Sequence, residues 1–178
     1  MRALLRAFRF IASSLLAAGL LLVAAPRDAS AADQWMLINV QTRKCLTIAG
    51  GVSTANNLGT VQYICDSHPS RRWRLIGSNG VYKIANLQTG KCLTIAGGRS
   101  TENNVRALQY NCDDDRSRRW TLQQVASGGI YKLVNLQTGK CLTIAGGVST
   151  ANNVEGLQYN CDNHPSRTWE VRRVNIID

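Results

Sequence analysis

The sequence predicts an all-β domain in which three copies of one disulfide-stapled unit close around a pseudo-threefold axis. Three observations predict it: a repeat of about 48 residues, two cysteines at constant spacing in every copy, and a tryptophan eight residues beyond the second cysteine. Aligned on cysteine, the copies share the frame C-L-T-I-A-G-G-x-S-T-x-N-N-x4-Q-Y-x-C-D-x3-S-R-x-W, starting at Cys45, Cys92 and Cys141 and ending at Trp73, Trp120 and Trp169. A fixed period of this kind constrains the architecture more strongly than any local pattern.

The elements follow in chain order. Arg2, Arg6 and Arg9 precede an apolar run from Phe10 to Ala25, and Ala29-Ser30-Ala31 has the small-x-small form of a processing site. Residues 1–31 read as a secretory signal peptide, which leaves 32–178 as one domain with repeats at about 34–79, 80–128 and 129–178. An uncleaved membrane anchor fits less well, because polar residues follow the run at once. With the signal go four arginines and one aspartate, so the formal charge falls from +10 to +7. No basic run exceeds two residues, so the charge reads first as a solubilising surface and second as an attraction to acidic polysaccharide.

Each unit opens on a strand-like lead, Trp35 to Asn39, Tyr82 to Asn86 and Tyr131 to Asn135. Period-two runs follow, such as Leu93 and Ile95, Leu108 and Tyr110, Trp120 and Leu122, bounded by Gly, Asn, Ser and Asp clusters. About four strands per unit result. Gln88-Thr89-Gly90 and Gln137-Thr138-Gly139 read as tight turns with glycine at positive φ. The first unit has Arg43 there, which should cost roughly 1 kcal/mol if the geometry is kept. A unit of this size cannot bury a core alone, and three are too few for a propeller. Closure around an axis brings equivalent apolar positions together in layers: Leu46, Leu93 and Leu142; Ile48, Ile95 and Ile144; and the three frame tryptophans.

Six cysteines in an exported chain argue for disulfides. The two within each unit stand 20 residues apart, whereas the gaps between units are 27 and 29. The constant spacing belongs inside a unit and predicts Cys45–Cys65, Cys92–Cys112 and Cys141–Cys161. Catalysis is poorly supported. The histidines are His68 and His164, the second unit has Asp115 in that slot, and no nucleophile elbow, zincin or phosphate-loop motif occurs. The Asp113-Asp114-Asp115 cluster is singular and flanked by arginines, which suits a solvated loop better than a metal site. No cofactor, no metal and no nucleic-acid partner is expected.

The N-x-x-T-G-K-C-L leads, the Gly-Gly loops, the Q-Y-x-C segments and the tryptophan positions together resemble the ricin B-chain-type lectins, which are β-trefoils. The resemblance runs from about Trp35 to Val171 and implies carbohydrate binding, up to one shallow pocket per repeat; with the signal peptide, the expected protein is secreted, and a monomer is expected. The family commonly has a sugar-holding Asp two residues after the first cysteine, where this chain has Thr47, Thr94 and Thr143. The family's Q-x-W glutamine is replaced by Arg71, Arg118 and Arg167, and the Asn before it by Ser70, Ser117 and Ser166.

Sugar binding needs an aromatic face and convergent polar groups. Tyr63, Tyr110 and Tyr159 are the candidate platforms. Gln62, Gln109 and Gln158, with Asn57, Asn104 and Asn153, are the candidate amides, against the alternative that these residues build core and turns. Asp66, Asp113 and Asp162 either replace the missing carboxylate or brace the arginine five residues on. The alternative function is a trefoil that binds protein, as an inhibitor or adhesion module, through one dominant loop such as Asp114 to Arg116.

Overall fold

In the computed structural model, which describes residues 33–174, the strands and turns fall into three equivalent sets. The first holds β1 (Gln34–Asn39), β2 (Cys45–Ile48), β3 (Thr60–Tyr63), a 3-10 turn at Pro69–Arg71 and β4 (Trp73–Ser78). The second holds β5 (Val81–Asn86), β6 (Cys92–Ile95), β7 (Ala107–Tyr110), a turn at Arg116–Arg118 and β8 (Arg119–Ala126). The third holds β9 (Ile130–Asn135), β10 (Cys141–Ile144), β11 (Gly156–Tyr159), a turn at Pro165–Arg167 and β12 (Thr168–Val174). The expected signal peptide lies outside the described residues.

Six of these strands form a closed antiparallel ring in the order β1, β4, β5, β8, β9, β12 and back to β1. The other six form three hairpins, β2–β3, β6–β7 and β10–β11, that cap one end of the ring. This is a β-trefoil, with no exposed edge in its barrel. The core runs along its axis. Leu46, Leu93 and Leu142, Ile48, Ile95 and Ile144, and Trp73, Trp120 and Trp169 are all buried, as their repeat positions predicted. Leu37, Ile84 and Leu133 add a layer inside the barrel. Each indole N–H donates to a hairpin carbonyl, Trp73 to Leu46, Trp120 to Leu93 and Trp169 to Leu142, all at 3.0 Å. The rings therefore fill the core and leave no polar atom unpaired.

The cap strands depart from the half-exposed pattern that alternation suggests. All four residues of β2, β6 and β10 are buried, because each hairpin is covered on one side by the core and on the other by its 3-10 turn. The disulfides Cys45–Cys65, Cys92–Cys112 and Cys141–Cys161 tie each hairpin to the loop after it, as the constant spacing selects. Loops of this size contribute about 3 kcal/mol each by chain entropy.

A ring of polar contacts binds the repeats to one another. Buried Asn39, Asn86 and Asn135 donate at 2.8 Å to the carbonyls of Ser166, Ser70 and Ser117 in the preceding repeat around the axis. Their Oδ1 atoms accept from the turn that follows, at Thr42, Thr89 and Thr138. Arg43 keeps the turn geometry of its glycine equivalents, at φ 58° against 68° for Gly90 and 67° for Gly139, so the cost of roughly 1 kcal/mol is retained. An ion pair of Arg43 with Glu170 at 3.1 Å offsets part of it.

Candidate functional site

Between each cap hairpin and its 3-10 turn lies a shallow cleft, resolved as about 400 Å³ in the first repeat and about 270 Å³ in the second. Its wall is the tyrosine that ends β3, β7 or β11. A guanidinium covers each ring, with Arg71, Arg118 and Arg167 at 4.5, 4.4 and 4.3 Å from the centroids of Tyr63, Tyr110 and Tyr159. Such a contact contributes about 0.5–1 kcal/mol at a partly exposed site.

The arginines are held from three sides. Their Nη1 atoms donate to Ser70, Ser117 and Ser166 Oγ at 2.5, 2.5 and 2.6 Å. Their Nε atoms stand 3.3 Å from an Oδ1 of Asp66, Asp113 and Asp162, close enough for an ion pair but not aligned as a hydrogen bond. Those aspartates brace the arginines in every repeat. The serines are themselves buried and receive Thr47, Thr94 and Thr143 at 3.1–3.2 Å. Thr, Ser and Arg thus stand as one hydrogen-bonded chain where the family pattern has Asp, Asn and Gln. The chain offers cationic N–H donors to the cleft instead of a carboxylate acceptor.

A neighbouring slot caps the turn. His68 and His164 accept the N–H of Ser70 and Ser166 at Nδ1, both at 3.2 Å, which assigns the ring proton to Nε2. Asp115 does the same in the second repeat, accepting from Ser117 N at 2.8 Å and Ser117 Oγ at 2.7 Å. Those bonds, the backbone N–H first, hold the Asp115 carboxyl below its usual range. Lys83, by hydrogen bond and charge, does the same to Asp114, with Arg119 adding to it. A depressed folded pKa gives stabilisation that is complete above the unfolded value of 3.8 and lost as pH falls through the folded one. Thermal melts should therefore show a fall in Tm below pH 3.8 that is shallower in Asp115→Asn.

The second glycine of each Gly-Gly pair forms the floor. A Cβ at Gly98 would stand 3.1 Å from Ser117 Oγ, and one at Gly147 3.1 Å from Ser166 Oγ; both positions also have positive φ. A side chain there would crowd the serine and close the cleft.

The predicted amides separate into two groups. Gln62, Gln109 and Gln158 are fully buried, and their side chains are spent within the fold. Gln109 donates to the carbonyls of Ser53 and Ala55 in the first repeat and accepts from Thr89. Gln62 and Gln158 make the equivalent contacts with the third and second repeats. They hold the cap together, and no part of them reaches the clefts. Asn57, Asn104 and Asn153 are exposed and have positive φ. They pair across repeats: Asn57 lines the cleft of Tyr110, and Asn153 that of Tyr63. Asn104 donates its backbone N–H to Gln158, beside Tyr159. The loop after β2, β6 or β10 reaches into the next repeat, so each cleft has walls from two repeats.

Sequence reasoning missed the cleft-lining roles of His68, Asp115 and Arg99. The signal was their position: His68 and Asp115 occupy one repeat slot two residues before a buried serine. Arg99 replaces Val52 and Val148 on the rim.

A family model described as a ricin-type β-trefoil lectin domain-like fold matches residues 23–110, 71–159 and 116–176. Among solved structures, the designed threefold symmetric protein ThreeFoil is 25% identical, with a TM-score of 0.74 over 79% of this chain and 99% of its own. The exo-β-1,3-galactanase 1,3Gal43A of Clostridium thermocellum is 23% identical (TM-score 0.74, 80% of this chain), and the match spans 30% of that enzyme. The Rhizoctonia solani agglutinin is 17% identical, with a TM-score of 0.69 over 80% of this chain and 96% of its own. At these identities the last two speak to fold alone. No curated protein sequence matches the chain significantly.

Proposed function

The chain belongs to the ricin-type β-trefoil lectin-like domain family, and from that membership we propose that it is a secreted, non-catalytic protein that binds polysaccharide or cell-surface glycan through its hairpin clefts. The observation that carries this reading is the repeated cleft in which a tyrosine, a fixed arginine and an asparagine from the adjacent repeat converge. The ring edge and the asparagine amide suit a sugar's apolar face and hydroxyls. The arginine adds donors for hydroxyl or carboxylate oxygens.

The contact set is Tyr63 with Asn153, Tyr110 with Asn57 and Tyr159 with Asn104, each with its arginine. Asp66, Asp113 and Asp162 act through the arginines they brace. The glutamines have no contact role. Up to three such sites act on a monomer. Processing after residue 31 would deliver 32–178 to an oxidising compartment, where three disulfides persist. His68 and His164 serve as turn caps, which fits a binder better than a catalyst.

A glycan array probed with the folded protein tests the reading. Binding to a defined set of neutral or acidic glycans is expected, with affinity largely kept in added salt. Failure to bind any glycan, with a native near-UV spectrum, would overturn it. Binding that collapses as salt rises would mean that the +7 charge alone attracts anionic polymer.

A further inference from the structure

The barrel end opposite the cap carries a cavity of about 420 Å³ that none of the hairpin clefts touches. Its rim is Trp35, Tyr82 and Tyr131, and its inner wall is Leu75, Leu122 and Val171. Each trio is one repeat position taken from all three units. The aromatics open the three leads, and the aliphatics stand two residues after the three core tryptophans. A cavity that draws the same positions from every repeat lies on the pseudo-threefold axis. Two residues further along the leads, on the same face of each strand, Leu37, Ile84 and Leu133 are fully buried and close it from inside. The rim residues are only half-buried, so the mouth is open.

We propose that this mouth is a second kind of binding site, a single axial pocket for one neutral pyranoside. Its volume is within the usual range of small-ligand pockets. Three rings over an aliphatic wall match the C–H face of a sugar, and the phenol hydroxyls and the indole N–H bring polar groups to its edge. Among the described residues Asp33 is the acid at the mouth, and Arg173 pairs with it. Because the rings converge on one axis, the site takes one ligand per chain, in contrast to three equivalent clefts. The inference is independent of whether the clefts bind sugar.

Tryptophan fluorescence reads this pocket selectively. Trp73, Trp120 and Trp169 are fully buried, and the two resolved clefts contain no tryptophan, so Trp35 is the reporter. The chain is titrated with the methyl pyranosides of glucose, galactose and mannose. At least one should give a saturable change with a stoichiometry of one. That change should persist when Tyr63, Tyr110 and Tyr159 are all replaced by alanine, and affinity should fall at least tenfold in Tyr82→Ala or Tyr131→Ala. Leu122→Phe, which fills the wall and keeps the rings, should also abolish it and serves if an alanine variant fails to fold. The proposal is overturned if no pyranoside gives a saturable change, or if the change survives undiminished in the natively folded variants of the pocket.

Discussion

Gln109→Leu is expected to cost about 3 kcal/mol of stability, far more than any substitution on the rim of a cleft. Leucine has nearly the volume of glutamine and would fill the space, so the loss is polar. The glutamine Nε2 donates to Ser53 O at 2.8 Å and Ala55 O at 2.7 Å, and Oε1 accepts from Thr89 at 2.8 Å. Removing one side of three such bonds strands two carbonyls and a hydroxyl, at about 1 kcal/mol each or more. The two carbonyls belong to the first repeat and the glutamine to the second, so the contact is between repeats and not within one. Urea denaturation should show a lower midpoint with an unchanged slope. Asn57→Ala, whose side chain is exposed, should cost about 1 kcal/mol or less, chiefly because alanine tolerates the positive φ of this position less well than asparagine. The leucine substitution made at Gln62 and Gln158 as well should sum to about 9 kcal/mol, comparable to the 5–15 kcal/mol by which whole domains are stable.

That contrast marks what the chain discloses before its structure is seen. The strand count, the tryptophan and leucine layers and the cysteine pairing all follow from position within the repeat, because a core residue is identified by its apolar type and its period together. Gln109 and Asn57 are both amides at constant positions, and nothing in type or period says which faces the cleft and which faces the chain. The difference arises from the loop after each first hairpin strand, which crosses to the next repeat and delivers two bare carbonyls to the glutamine. The same crossing sets Asn57 beside Tyr110 and not Tyr63. Contacts between repeats have no signature in a spacing counted within one. The Asp–Arg spacing of five residues, by contrast, lies inside a unit, and the brace it suggested is present in all three.

The geometry of the clefts leads to the second large effect. Disabling two of them should reduce affinity for a glycan polymer by about a hundredfold while leaving the remaining site's affinity for a single sugar unchanged. On the proposed reading, three weak sites on one rigid barrel would act on a polymer through effective concentration, and linked sites of this kind gain about 10²–10⁴ over one. The variant is Tyr63→Ala with Tyr159→Ala, which keeps the second repeat intact. Tyrosine to alanine removes the wall and frees the arginine stacked on it, at a cost of about 1 kcal/mol per site that the three disulfides and the core absorb. Tyr→Phe at both positions keeps ring and stacking and should restore polymer binding. The second repeat is the informative one to retain, since it alone has Arg99 and Asp115 at its cleft and Asp114 tied to Lys83 and Arg119 beside it. If the double variant bound polymer as tightly as the parent, that repeat alone would carry the binding. Three equivalent sites would then be excluded, and the Asp114–Arg116 loop would become the place to look for a protein partner. Surface plasmon resonance on immobilised polysaccharide, with the free monosaccharide as competitor, separates the two: shared binding loses its slow dissociation in the double variant, and single-repeat binding keeps it.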